Sequence, residues 1–174
     1  MSKDFAHRLP LDRIRHGERI DLSADADECA EICKRLGLVS LDRLEVHAVL
    51  ERDGSQVRAT GRIRAALVQS CVASGDPVPA AIDEPFELLF LPEPQGRPDE
   101  EVELGENELD VAFHDGAAID LGTAVADTLA LALDPFPRGP NADVALKAAG
   151  VLSEEQAGPF AALAALKSEK PDEA

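Results

Sequence analysis

Between Leu44 and Ser70, apolar and polar residues trade places with a period of two. Leu44, Val46, Ala48 and Leu50 alternate with charged or mixed positions up to Asp53-Gly54. Beyond that pair, Val57, Ala59, Gly61, Ile63, Ala65 and Leu67 alternate with Gln56, Arg58, Thr60, Arg62 and Arg64. Successive side chains of a strand point to opposite faces, so the spacing predicts two strands, each with one buried face. Asp-Gly supplies the hairpin turn between them. A further strand is predicted over AAIDEPFELLFLPEP, where Pro85 marks an edge or a bulge because proline cannot donate to a ladder. LDVAFH, from Leu109 to His114, predicts a last short strand.

Two segments change the period to that of a helix. In SADADECAEICKRLGL, Ser23 or Asp25 can cap, acids fill the first turn, Lys34 and Arg35 the last, and Gly37 terminates, giving a helix near 25–36. Behind Asp120 as a cap, Leu121, Val125, Leu129 and Leu133 recur every four residues and predict a helix over 120–133. It must stop at Asp134, because proline disfavours helical geometry in the residue before it. A short helix is predicted over 141–149, and GPFAALAALK, from Gly158 to Lys167, is a small apolar patch. The fold class is therefore α+β, an antiparallel sheet of about four to six strands with the two longer helices packed against it. Residues 1–174 form a single domain with an extended N-terminal arm (1–22), an acidic proline- and glycine-bearing loop (92–109) and a C-terminal tail (134–174).

Composition refines this. The chain has 174 residues, 45% of them apolar, with no Trp or Tyr and six Phe, so the core is built from Ala, Leu, Val and Ile. The net charge of −17 is unevenly spread. Met1 to Val68 holds 12 basic and 12 acidic residues; Gln69 to the end holds 5 and 22. The second half repels polyanions and attracts basic surfaces. The charged start lacks the apolar region of a secretory signal, and the most apolar stretch is too short and polar to span a bilayer, which predicts a cytoplasmic protein with no membrane partner. Three cysteines, an odd number, predict reduced thiols rather than a disulfide framework.

Candidate chemistry is sparse. Arg58, Arg62 and Arg64 share one strand face and are the RNA-contact candidates; Arg13, Arg15, Arg19 and Arg43 extend the stripe if the arm folds across the sheet. Cations that meet phosphates release bound counterions, an affinity that needs no base reading. Against this, strand-face arginines pair with acids, here Glu45 and Glu51 across the hairpin, and no aromatics are interleaved for stacking. Cys29 and Cys33 lie one helical turn apart, and Cys71 with His47 would be needed to complete a zinc set. Closed zinc sites favour close-spaced pairs held in turns, so no metal and no cofactor are predicted. The four histidines are scattered, and His114 and Asp115, adjacent on a strand, point to opposite faces. With no nucleophile near a base and no phosphate-binding glycine loop, no enzyme is predicted.

The segment DPFPRGP holds the remaining candidates. Pro135 and Pro137 preset the backbone and lower the entropy lost on docking, Phe136 offers an apolar anchor and Arg138 a charge. The alternative is that Phe136 packs onto the domain and the segment only ends a helix.

Three blocks occur in order: QSCVASGDPVP (69–79), IDLG leading to LALALDPFPRGP (119–140), and PFAALAALK (159–167). Together they resemble the YceD family, the large ribosomal RNA subunit accumulation proteins. The resemblance implies a non-enzymatic ribosome-biogenesis factor supporting accumulation or processing of the 23S rRNA precursor, with precursor 23S rRNA or a large-subunit ribosomal protein as partner and no DNA. Since ribosomal proteins are mostly basic, the alternative is an acidic adaptor or holdase that binds one of them without touching RNA. Many members carry Cys-x-x-Cys where this chain has Cys71 and Ser74, so no metal or redox role is expected of that turn.

Overall fold

The computed structural model describes residues 5–93 and 110–151. The predicted acidic loop from residue 94 onward and the patch at 158–167 lie outside these residues. Among the described residues, seven strands, β1 (Arg8–Pro10), β2 (Glu18–Ser23), β3 (Ser40–Asp53), β4 (Gln56–Ser70), β5 (Pro77–Pro92), β6 (Asp110–His114) and β7 (Ala118–Asp120), are joined by three α-helices, α1 (Ala26–Leu36), α2 (Leu121–Ala132) and α3 (Ala142–Ala148). Five strands form the main sheet in the order β2-β3-β4-β5-β6, and β1 pairs with β7 in a separate ribbon.

The α+β class holds, with one correction: the main sheet is mixed. The β2 to β5 pairs are antiparallel, but β6 joins β5 in parallel, with Leu88 opposite Asp110 and Pro92 opposite His114. A parallel pair needs a crossover of a dozen or more residues. The chain between Pro92 and Asp110 supplies that length. The N-terminal segment is also more than an arm, since β2 lies along β3 with Ile20 opposite Ala48 and Leu22 opposite Val46.

One face of the sheet is the core. Leu44, Val46, Leu50, Val57, Ala59 and Ile63 are fully buried, and Phe86, Leu88 and Phe90 extend the layer across β5. Against it lie Ile32 of α1 and Leu121, Val125 and Leu129 of α2, the positions marked by helical spacing. Burying each such side chain stabilises by roughly 1.5–3 kcal/mol before entropy is counted.

Helix ends follow their local signals. Asp25, not Ser23, caps α1; its carboxylate accepts from the Asp27 and Glu28 N–H groups, while Glu28 returns a bond to the Asp25 N–H. Gly37 ends the helix in the left-handed region, φ 65°. Asp120 caps α2 and also accepts the His7 N–H at 3.0 Å, so the N-terminal segment crosses the first turn of α2. Gly122 permits that crossing, because a Cβ there would land on the Phe5 carbonyl oxygen.

Pro77, Pro79 and Pro85 all lie in the part of β5 that β6 does not cover. Their even spacing, two and six residues, turns all the missing N–H groups to one side, away from β4 and toward the rim of the sheet, where proline is tolerated. Among the described residues, no helix is long and apolar enough to cross a membrane.

Candidate functional site

The uncovered face of the sheet carries the arginines. Register places Arg58, Arg62 and Arg64 on it, opposite Glu51, His47 and Glu45 of β3, with Arg19 and Asp21 of β2 continuing the rows. Each guanidinium is paired, but the partners come from β5 rather than from Glu45 and Glu51. Arg58 bonds Glu87 at 2.5 Å, while Arg62 and Arg64 share Asp83, the latter at 3.4 Å. The reason is register: Asp83 lies directly opposite Arg64 and diagonal to Arg62, and Glu87 is diagonal to Arg58, within reach of a long side chain. Glu45 is left to Arg43 at 4.0 Å. The Asp83 carboxyl is held below its usual range, first by the Arg62 hydrogen bond and then by the two positive charges.

The face as a whole is not cationic. Its charged residues are Arg19, Arg43, Arg58, Arg62 and Arg64 against Asp21, Glu45, Glu51, Asp53, Asp83 and Glu87, so five positive charges meet six negative ones. His47 adds no fixed charge and contacts Asp21 at 2.6 Å. Among the described residues, the guanidiniums of Arg13, Arg15 and Arg19 have no carboxylate partner, but Asp12, Glu18 and Asp21 are interspersed with them in sequence, and Glu18 accepts the Arg15 N–H at 2.9 Å.

The second candidate region brings together two segments that are far apart in sequence. The turn after β4, Cys71 to Asp76, receives the segment that leaves α2. The Val72 N–H donates to the Pro137 carbonyl at 2.9 Å, and the buried Gln69 amide donates to the Asp134 carbonyl at 2.9 Å. The Gly139 N–H points at Cys71 Sγ, 3.3 Å away, and Asn141 Nδ2 donates to Asp76 at 3.1 Å. Two of the quoted sequence blocks are thus halves of one structure.

Within the segment, Pro137 is buried, whereas Pro135, Phe136 and Arg138 are exposed. Phe136 does not pack onto the domain: it is 71% exposed, although its own N–H is fixed to the Asp134 carboxylate at 2.9 Å. Nearby Val72 is 57% exposed. Arg138 is matched to Asp143 of α3 at 3.0 Å.

Cys71 differs from the other thiols. It is buried at 3% exposure, and its pKa is lowered to about 6, chiefly by hydrogen bonding from the Ser74 side chain and then from the Gly139 and Ser74 N–H groups. Cys29 moves the other way, raised by burial and then by Asp25 and Glu28. Cys29 and Cys33 sit on α1, on the core side of the sheet, whereas His47 projects from the open face, so these residues share no site. No group of three or more His, Cys, Asp or Glu among the described residues is placed to hold a metal ion.

His114 and Asp115 are structural. The His114 ring is buried, with Nδ1 accepting from the Gly116 N–H at 3.0 Å, which leaves Nε2 to donate to the Ser55 carbonyl at 2.8 Å. Asp115 accepts from the Ala117 and Ala118 N–H groups and from Arg8. Sequence reasoning missed the part Asp83 and Glu87 play, since only the β4–β5 register shows it.

These features describe a small α+β protein with a charge-balanced sheet face and an apolar knob pinned to a turn. The description of the family that it matches is "Large ribosomal RNA subunit accumulation protein YceD", over residues 59–167. The chain belongs to that family, and its role lies in accumulation of the large-subunit ribosomal RNA. No curated protein and no solved structure matches it.

Proposed function

We propose that the chain supports accumulation or processing of the 23S rRNA precursor without catalysing a reaction, and that it does so by engaging a basic large-subunit ribosomal protein as an acidic adaptor or holdase. The observation that carries this reading is the matching of Arg58, Arg62 and Arg64 to Asp83 and Glu87 on a chain of net charge −17. A phosphate backbone gains from a basic surface because its own condensed counterions are displaced, and a charge-balanced face displaces none. A basic protein meets a complementary field instead.

A second reading, direct RNA contact by Arg58, Arg62 and Arg64, draws support from their exposure, since the side chains are 44–48% accessible. Exposed ion pairs are easily opened. Opening them, however, leaves Asp83 and Glu87 on the same face, so its net charge toward an incoming phosphate does not change.

Binding of the R58A/R62A/R64A variant to precursor 23S rRNA across a salt series separates the two. The adaptor reading expects weak RNA binding that the triple change leaves unaltered, with a basic ribosomal protein co-purifying at low salt. Amide replacement of the acids between Asp99 and Glu108 should release that protein. If the triple change instead weakens RNA binding and flattens the salt slope by about 2–3, the arginines touch phosphates and the adaptor reading falls.

A further inference from the structure

The geometry points to Phe136, with Val72 beside it, as a preformed apolar knob that inserts into a socket on a basic protein partner. This rests on the adaptor reading and names the surface that the partner grips.

The knob is rigid for identifiable reasons. Pro135 and Pro137 restrict the backbone on both sides of Phe136. The segment is then tied down along its length: at Asp134 by Gln69, at Phe136 by the Asp134 carboxylate, at Pro137 by Val72 and at Gly139 by Cys71. An exposed aromatic ring on a loose tail loses much of its docking energy to ordering, but one already fixed keeps it. The ring is 71% exposed even though the backbone around it is held, so its outward direction is built in rather than a result of slack.

Charge selects the kind of partner. Asp134 holds the Phe136 N–H, Asp76 holds Asn141 and Asp143 holds Arg138, so three carboxylates are tied to the segment from Asp134 to Asn141, whose own cation, Arg138, is already matched. Counting the segment and the acids bonded to it, three carboxylates meet one guanidinium, two negative charges in excess. An apolar anchor on such a segment fits an apolar socket rimmed by Lys or Arg, the arrangement in which a central aromatic carries the affinity and rim charges guide the encounter. A polyanion is repelled by the same carboxylates.

The test uses the immobilised full chain and, as probe, the protein mixture stripped by high salt from large ribosomal subunits, with retained proteins identified by mass. Wild type is expected to retain one and the same basic protein, F136A to retain it at least tenfold less and V72A to a smaller degree. L131A, which removes an equally exposed apolar residue from α2, should retain it like wild type. Unchanged unfolding midpoints for F136A and V72A show that the fold is intact. Equal retention by F136A and wild type overturns the knob and leaves the adaptor reading standing, whereas no retention by wild type overturns both. Sedimentation showing a self-association that F136A abolishes would make a second copy the occupant and overturn the basic-partner assignment.

Discussion

Replacing Asp120 by alanine tests how the N-terminal segment is fastened to α2. The Asp120 Oδ1 atom accepts two N–H groups, from Thr123 at 3.1 Å and from His7 at 3.0 Å, while Oδ2 accepts the Thr123 hydroxyl at 2.9 Å. Loss of a helix cap costs about 1 kcal/mol. The His7 N–H, partly buried and left without an acceptor, adds about 1–3 kcal/mol. D120A should therefore destabilise by about 2–4 kcal/mol. D120N retains an oxygen where both N–H groups point and loses the charge at the helix start, about 0.3–1 kcal/mol, while the Thr123 hydroxyl turns from donating to Oδ2 to accepting from the new Nδ2–H. With no Trp or Tyr in the chain, urea unfolding is followed by far-UV circular dichroism. At a slope of about 2 kcal/mol per molar, the D120A midpoint should fall by about 1–2 M. A D120A midpoint within about 0.3 M of wild type, or a D120N variant as unstable as D120A, would refute the double-acceptor account.

Two further expectations concern the same fold. G122A should destabilise by about 1–3 kcal/mol despite alanine's better helix propensity, because the new Cβ meets the Phe5 carbonyl and, at 2.8 Å, the His7 nitrogen, and backbone must move; a G122A protein more stable than wild type in the same titration would show that the crossing is loose. For Cys71, a folded pKa near 6 against an ordinary value of 9.0 means that folding favours the thiolate, so its contribution is fully present above pH 9, shrinks as pH falls and is gone below pH 6. The rise in unfolding midpoint between pH 6 and 9 should be shallower in C71S than in wild type, and parallel profiles would remove the thiolate from the junction.

Much of the fold could be read from short-range signals. The β3–β4 hairpin follows from strict alternation around Asp53-Gly54, and both long helices start at the aspartates their sequences offer, Asp25 and Asp120. What escaped depended on contacts distant in the chain. Ile20 opposite Ala48 and Leu9 opposite Ile119 are pairings that local periodicity does not specify, so β1 and β2 were hidden in an arm and β7 in the short stretch before α2. The candidate surfaces divided in the same way. That Arg58, Arg62 and Arg64 share a face is a matter of period two, but their pairing with Asp83 and Glu87 is a matter of register across 19–29 residues. Pro135 and Pro137 announced a stiff segment, but only its attachment to the Cys71 turn shows that the ring between them points outward.

The three prolines along the outer side of β5 have a consequence for how the molecule meets other chains. An unprotected strand at that border is a template on which a stray extended chain can nucleate further strands and begin an aggregate. With Pro77, Pro79 and Pro85 withholding three of the donors along that side, an incoming chain finds no continuous ladder to join there. The protein is thereby kept from being drawn into misassembly with unfolded chains along that border.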